Sequence, residues 1–119
     1  MTSPDIRSSI HGKLITLKEG LSRLLGPEGQ RFAELFKHGT LSLEIYGPTG
    51  SDPQKPHTRD EAYIVASGSG EFVFGDHRAK FGTGDFLFAP AGVVHRFESF
   101  TEDLAVWVIF YGPEGGECS

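Results

Sequence analysis

A chain of 119 residues is the length of one domain, enough for a modest single core and too short for two. Apolar and charged fractions of 38% and 23% argue against disorder, and a net charge of −5 with scattered Lys and Arg argues against a nucleic-acid partner. No run nears the ~20 apolar residues of a membrane span, the opening MTSPDIRSSI lacks a signal-peptide core, and the lone Cys118 allows no internal disulfide, so a cytoplasmic protein without membrane contact is expected.

Sixteen glycines, seven prolines and ten phenylalanines predict short aromatic strands joined by many turns. Residues 14–25, LITLKEGLSRLL, read as a short extended piece followed by a turn of helix that Gly26-Pro27 stops. Residues 1–31 are therefore expected as an N-terminal arm with a short helix. RFAELFKH and TLSLEIYG alternate on either side of Gly39, the pattern of a hairpin. PTGSDPQKPHTRD, residues 48–60, is a polar, proline-rich loop, and EAYIVASG is a strand. EFVFGDHRAKF predicts a second hairpin turning at Gly75-Asp76. FLFAP, HRFESF and LAVWVIFYG bring the expected strands to eight or nine.

Strands this short and closely spaced predict an all-β sandwich or small barrel, which would also remove most free edges. The barrel is expected over residues 32–111, with 112–119 a flexible tail in which Cys118 is a frayed-end thiol. The apolar alternation of residues 32–46 exceeds what the edge of a small barrel should expose, which predicts a homodimer.

His57 and Glu61 fall where the long loop becomes a strand, and His95 opens a later strand. In a closed β structure, strand starts at one rim converge even when far apart in sequence. Two imidazoles and a carboxylate suit one divalent transition metal (Fe, Mn, Zn, Ni or Co) and leave positions for water or substrate. His11 in the leader, His38 beside the hairpin glycine and His77 in a tight turn are expected to be solvated.

The spacing around these residues carries a resemblance. His57, three residues, Glu61, six residues and Gly68 form one motif, and Gly84, Pro90, Gly92 and His95 form a second. The chain resembles a small single-domain cupin. That resemblance implies a double-stranded β-helix, or jelly-roll barrel, with a metal inside it and a small-molecule ligand in its pocket. Two functions follow from it: a metal-dependent enzyme of dioxygenase or isomerase type, and a non-catalytic module that binds or senses a small molecule or a metal. The chain departs from the family pattern at Lys55, where the first motif histidine would fall, and at Ser99, in place of a terminal Asn. A protonated lysine cannot ligate, so the amide oxygen of Gln54 is the alternative fourth donor. Glu61 is expected to be both a ligand and the candidate proton acceptor. Period-two alternation puts Tyr63 and Val65 on the side of Glu61, and Phe97 on that of His95. Tyr63, Phe97 and the rim residue Arg59 are thus the expected substrate pocket, with Arg96 solvated outside and Trp107 in the core.

Overall fold

The computed structural model describes residues 12–24, 31–52 and 54–118. His11 and the Gly26-Pro27 stop lie outside the described residues. The short helix falls in the expected segment, as α1 (Leu17–Ser22), after an extended stretch. Thr16 caps it by accepting a hydrogen bond from the Glu19 backbone N–H at 3.0 Å, which satisfies one of the free donors of the first turn.

Eight strands follow: β1 (Phe32–His38), β2 (Leu41–Tyr46), β3 (Asp60–Ser67), β4 (Gly70–Phe74), β5 (His77–Phe81), β6 (Phe86–Ala89), β7 (His95–Glu98) and β8 (Ala105–Tyr111). Every pairing is antiparallel. The strands form a five-stranded sheet in the order β1-β2-β8-β3-β6 and a three-stranded sheet in the order β5-β4-β7. The β1–β2 and β4–β5 hairpins turn at the expected glycines, Gly39 and Gly75, both of which hold positive φ.

The main core lies between the sheets. Tyr63 and Val65 from β3, Phe72 from β4, Phe97 from β7 and Val106 and Val108 from β8 are all buried in it. Tyr63 meets Phe72 and Phe97 edge-on, with ring centroids 5.7 and 5.3 Å apart. Gly68, at the end of β3, is required by space as well as by its φ of 87°: a Cβ there would stand 2.6 Å from Thr101 Oγ1.

A second, smaller cluster covers the outer face of the large sheet. Leu24, Ala33 and Ile45 pack there with Leu17, Leu35 and Trp107. Helix α1 lies across this face, and Gly20 lets it approach: a Cβ on that residue would meet Leu35, Ile45 and Trp107 at 3.4–3.5 Å. Several of the apolar residues in 32–46 that suggested a dimer are thus covered by the chain's own N-terminal helix. The large side chains left exposed include Phe32 at the start of β1 and Phe86 and Phe88 on edge strand β6.

Residues 113–118, expected as a flexible tail, return to the barrel rim. Gly115 donates to the Thr58 carbonyl and Glu117 N–H donates to the Asp60 carboxylate. Asp60 also accepts from the Ala91 N–H, so one carboxylate joins the tail to two loops of the rim.

Candidate metal centre

His57 ends the long loop between β2 and β3, Glu61 is the second residue of β3, and His95 is the first of β7. Gly92 binds the two histidine loops together, its N–H donating to the His57 carbonyl at 2.8 Å. Glu61 and His95 are each 1% exposed, whereas the His57 side chain is 38% exposed. His57 Nδ1 stands 2.5 Å from Glu61 Oε2, and His95 Nε2 stands 3.4 Å from the same oxygen. One ligand atom from each residue lies within 4.8 Å of the others.

These three atoms are buried, and none of them makes a hydrogen bond. His95 donates from Nδ1 to the Val93 carbonyl at 2.8 Å, which leaves Nε2 with its lone pair turned to Glu61. Lone pairs crowded together in a buried space repel unless a cation or a proton sits among them. The donor set therefore fits a divalent transition metal.

The titration behaviour reflects the same crowding. Burial alone would push the Glu61 carboxyl up, but His57, His95 and the Tyr63 hydroxyl outweigh it and hold the group at about 2. Burial would lower the His95 imidazole, but Glu61 and the Val93 carbonyl outweigh it and raise the group above its usual value. Glu61 is thus a poor proton acceptor near neutrality, with Oε1 taking the Tyr63 hydroxyl and Oε2 facing both imidazoles. Its geometry is that of a ligand.

A cavity of about 570 Å³ opens beside His57 and Glu61, within the usual size range of small-molecule pockets. Its walls include Phe32, Tyr46, Val108 and Phe110, and Gln54, His57 and Glu61 reach it from the long loop and β3. Tyr63 and Phe97 do not line it. They are 0% and 1% exposed beneath the centre, sealed among Phe72, Phe81 and each other, and only the Tyr63 hydroxyl reaches the site, through Glu61. Arg59 is also absent from the wall, because its side chain turns toward the C-terminal segment and donates to the Gly112 carbonyl. Lys55 is exposed, and Gln54 is the residue that turns inward. Arg96 pairs with Glu98 on the outer face of β7, and His38 and His77 are exposed.

The sequence profile of the cupin domain family matches residues 42–111. The chain is a cupin. A relative in Streptomyces coelicolor, the uncharacterized protein SCO3923, is 34% identical over 85 residues, spanning 70% of this cupin and 81% of its own length. Among solved structures, a cupin-2 domain containing protein from Shewanella frigidimarina matches with a TM-score of 0.67 at 19% identity, over 83% of this chain and 95% of the other. Protein NMB1881 from Neisseria meningitidis matches with 0.66 at 19%, over 84% of this chain and 100% of its own. At that identity the two structures show the fold. Ser99, where the cupin pattern has Asn, holds a φ of 50°, a backbone state that Asn tolerates better than most residues.

Sequence reasoning missed Glu44, Tyr46 and Asp52. Glu44 and Tyr46 line the cavity from β2. Burial and the neighbouring Glu34 push the Glu44 carboxyl up, against a smaller opposing effect of His57. A signal was present: Ser42, Glu44 and Tyr46 alternate with Leu43 and Ile45. The polar set faces the cavity, and the aliphatic one, expected to lie exposed as a dimer surface, is on the outer face under α1.

Proposed function

We propose that this cupin holds one divalent transition metal (Fe, Mn, Zn, Ni or Co) on His57, Glu61 and His95, with Gln54 as a fourth donor. On this reading it is a metal-dependent enzyme of dioxygenase or isomerase type that acts on a small molecule in the cavity. The observation that carries the reading is the convergence of three buried heteroatoms, none of them hydrogen-bonded. A bound metal would supply Lewis acidity or, as iron, a site for O₂ chemistry. The protein residues do the rest. Phe32, Val108 and Phe110 hold the apolar part of the ligand and exclude water, while Tyr63 keeps Glu61 oriented. Glu44 is the proton-transfer group, because it faces the same cavity and burial, with Glu34, raises its carboxyl above the usual carboxylate value. Glu44 on β2 is paired with Val108, which is paired in turn with Tyr63 on β3. Two strand spacings, roughly 9–10 Å, therefore separate the proton-transfer group from the ligand strand, with Val108 of β8 between them.

The test is metal content. Purified wild-type protein should carry close to one equivalent by elemental analysis, and the His57→Ala/His95→Ala double mutant should carry none. Equal content in the two would sink the reading. Turnover of a substrate panel by the loaded protein supports the enzyme, whereas ligand-induced thermal shifts without turnover make it a binding or sensing module. The same proposal includes a cytoplasmic homodimer, with exposed Phe86 and Phe88 on β6 as the apolar contact. Sedimentation as a monomer at micromolar concentration would remove the dimer.

A further inference from the structure

Asp52 lies in the loop after β2, is 6% exposed, and accepts three hydrogen bonds. The Phe97 N–H donates to Oδ2 at 2.7 Å, the Gln54 side-chain amide donates to the same oxygen at 2.7 Å, and the Tyr46 hydroxyl donates to Oδ1. These donors come from β7, from the loop itself and from β2, so the carboxylate is fixed from three sides.

A carboxylate only accepts, so it can meet only the NH₂ end of the Gln54 amide. The amide is planar, and its oxygen is therefore turned the other way. Gln54 Oε1 stands 3.4 Å from the Tyr63 hydroxyl oxygen, on the side of the cavity lined by His57 and Glu61. Tyr63 has one hydroxyl proton, and Glu61 Oε1 takes it at the shorter contact. Gln54 Oε1 is left with free lone pairs on the wall it shares with His57 and Glu61.

We propose that Asp52 is a positioning residue for the centre: it turns the Gln54 amide so that oxygen, and not nitrogen, faces His57 and Glu61. This makes Gln54 a workable donor where the cupin pattern has a histidine one residue later. The inference rests on the metal reading above and assigns that site a residue outside the motif.

Four variants test it, read by zinc affinity in competition with a chromogenic chelator and by the visible spectrum of the cobalt form. Asp52→Ala removes the acceptor that holds the Gln54 NH₂, so nothing keeps the amide oxygen turned to the centre. Zinc affinity should fall by about 10–100-fold, the usual cost of losing an outer partner. Gln54→Ala should fall by a similar factor, and Asp52→Ala/Gln54→Ala no further, since the two act through one atom. Asp52→Ala/Gln54→Glu should recover zinc affinity to within a few-fold of wild type and restore the cobalt spectrum, because a carboxylate has an oxygen at both ends. A purely structural role for Asp52 predicts no such rescue.

Wild-type affinity in folded Asp52→Ala, or no recovery in Asp52→Ala/Gln54→Glu, overturns the proposal alone. A wild-type protein that takes up no zinc overturns the metal centre and this proposal together. If Asp52→Ala does not fold, the wild-type protein carries the test by NMR. The Gln54 side-chain amide protons, bonded to a buried carboxylate, should exchange slowly and stay slow after zinc is added. Exchange as fast as that of a free glutamine overturns the assignment.

Discussion

The two histidines of the centre are held in different ways. His95 opens a strand, is 1% exposed, and has its ring fixed by the bond from Nδ1 to Val93. Its neighbours are core aromatics, Tyr63 and Phe72, with ring centroids 6.2 and 6.4 Å away. His57 ends a long loop, is more than a third exposed, and packs beside Phe110 with centroids 5.2 Å apart. One imidazole is part of the core and the other is an arm laid over it. A centre built this way has one preset donor and one adjustable donor, so that ligand entry can displace or shift His57 without disturbing the barrel.

The sharpest way to break this comparison is to delete each ring. His95→Ala should abolish metal uptake and also destabilise the metal-free protein by roughly 2–4 kcal/mol, since it empties a packed buried site and strands the Val93 carbonyl. His57→Ala should lose the metal as well, but should cost the metal-free protein under about 1 kcal/mol. Chemical denaturation of the two metal-free variants measures both figures, and equal losses would mean that the two stations are equally structural.

A pH series gives a smaller effect with a definite sign. His95 is raised by Glu61, so in the metal-free protein its contribution to stability is present below the usual imidazole value of 6.5 and is lost as pH rises through the folded value. Glu61 is lowered to about 2 from 4.5, so its contribution is present above 4.5 and is lost as pH falls toward 2. The metal-free protein should therefore gain most from this contact between about pH 4.5 and 6.5. Zinc must displace the proton from His95, so its stabilising effect should instead grow from about pH 6 to about pH 8. Thermal melts with and without zinc should show the two trends crossing, and a zinc-induced shift that is flat in pH would rule out His95 as a ligand.

The smallest effect concerns the strand that carries His95. Ser99, just past the end of β7, sits at positive φ, and Ser99→Gly should relieve that strain by up to about 1 kcal/mol. The melting temperature should rise by a few degrees with zinc affinity unchanged. A change in affinity would show that β7 itself, and not the bond to Val93, holds His95 in place.

Much of this was legible in the sequence because glycine and proline mark turns whatever the tertiary context. Gly39, Gly75, Gly84 and Gly92 located the hairpins and the His95 loop correctly, and the spacing of His57, Glu61 and His95 named the cluster. The inner face of β2 was not legible. An alternating strand does not say which of its faces is the core, and the barrel mouth takes the polar set while α1 covers the aliphatic one. Tyr63 and Phe97 were placed on the correct side of their strands, but depth along a strand has no periodic signature, so they came out as floor and not wall. Asp52 was invisible because its three donors come from residues 46, 54 and 97, and only the fold brings these together.

The strand order has a consequence for how the cupin folds. β8 lies at the centre of the large sheet, between β2 and β3, yet it follows every other strand in sequence. The β1–β2 hairpin can form from local contacts within microseconds, and so can β4–β5. The first hairpin cannot join β3 until the segment 105–111 has inserted between them. That insertion closes a loop of about half the chain, an entropic toll that places this cupin among slow, high-contact-order folders. Val108 and Phe110 travel with the inserting strand, so the cavity gains its back wall only in that step, after His57, Glu61 and His95 can already have met.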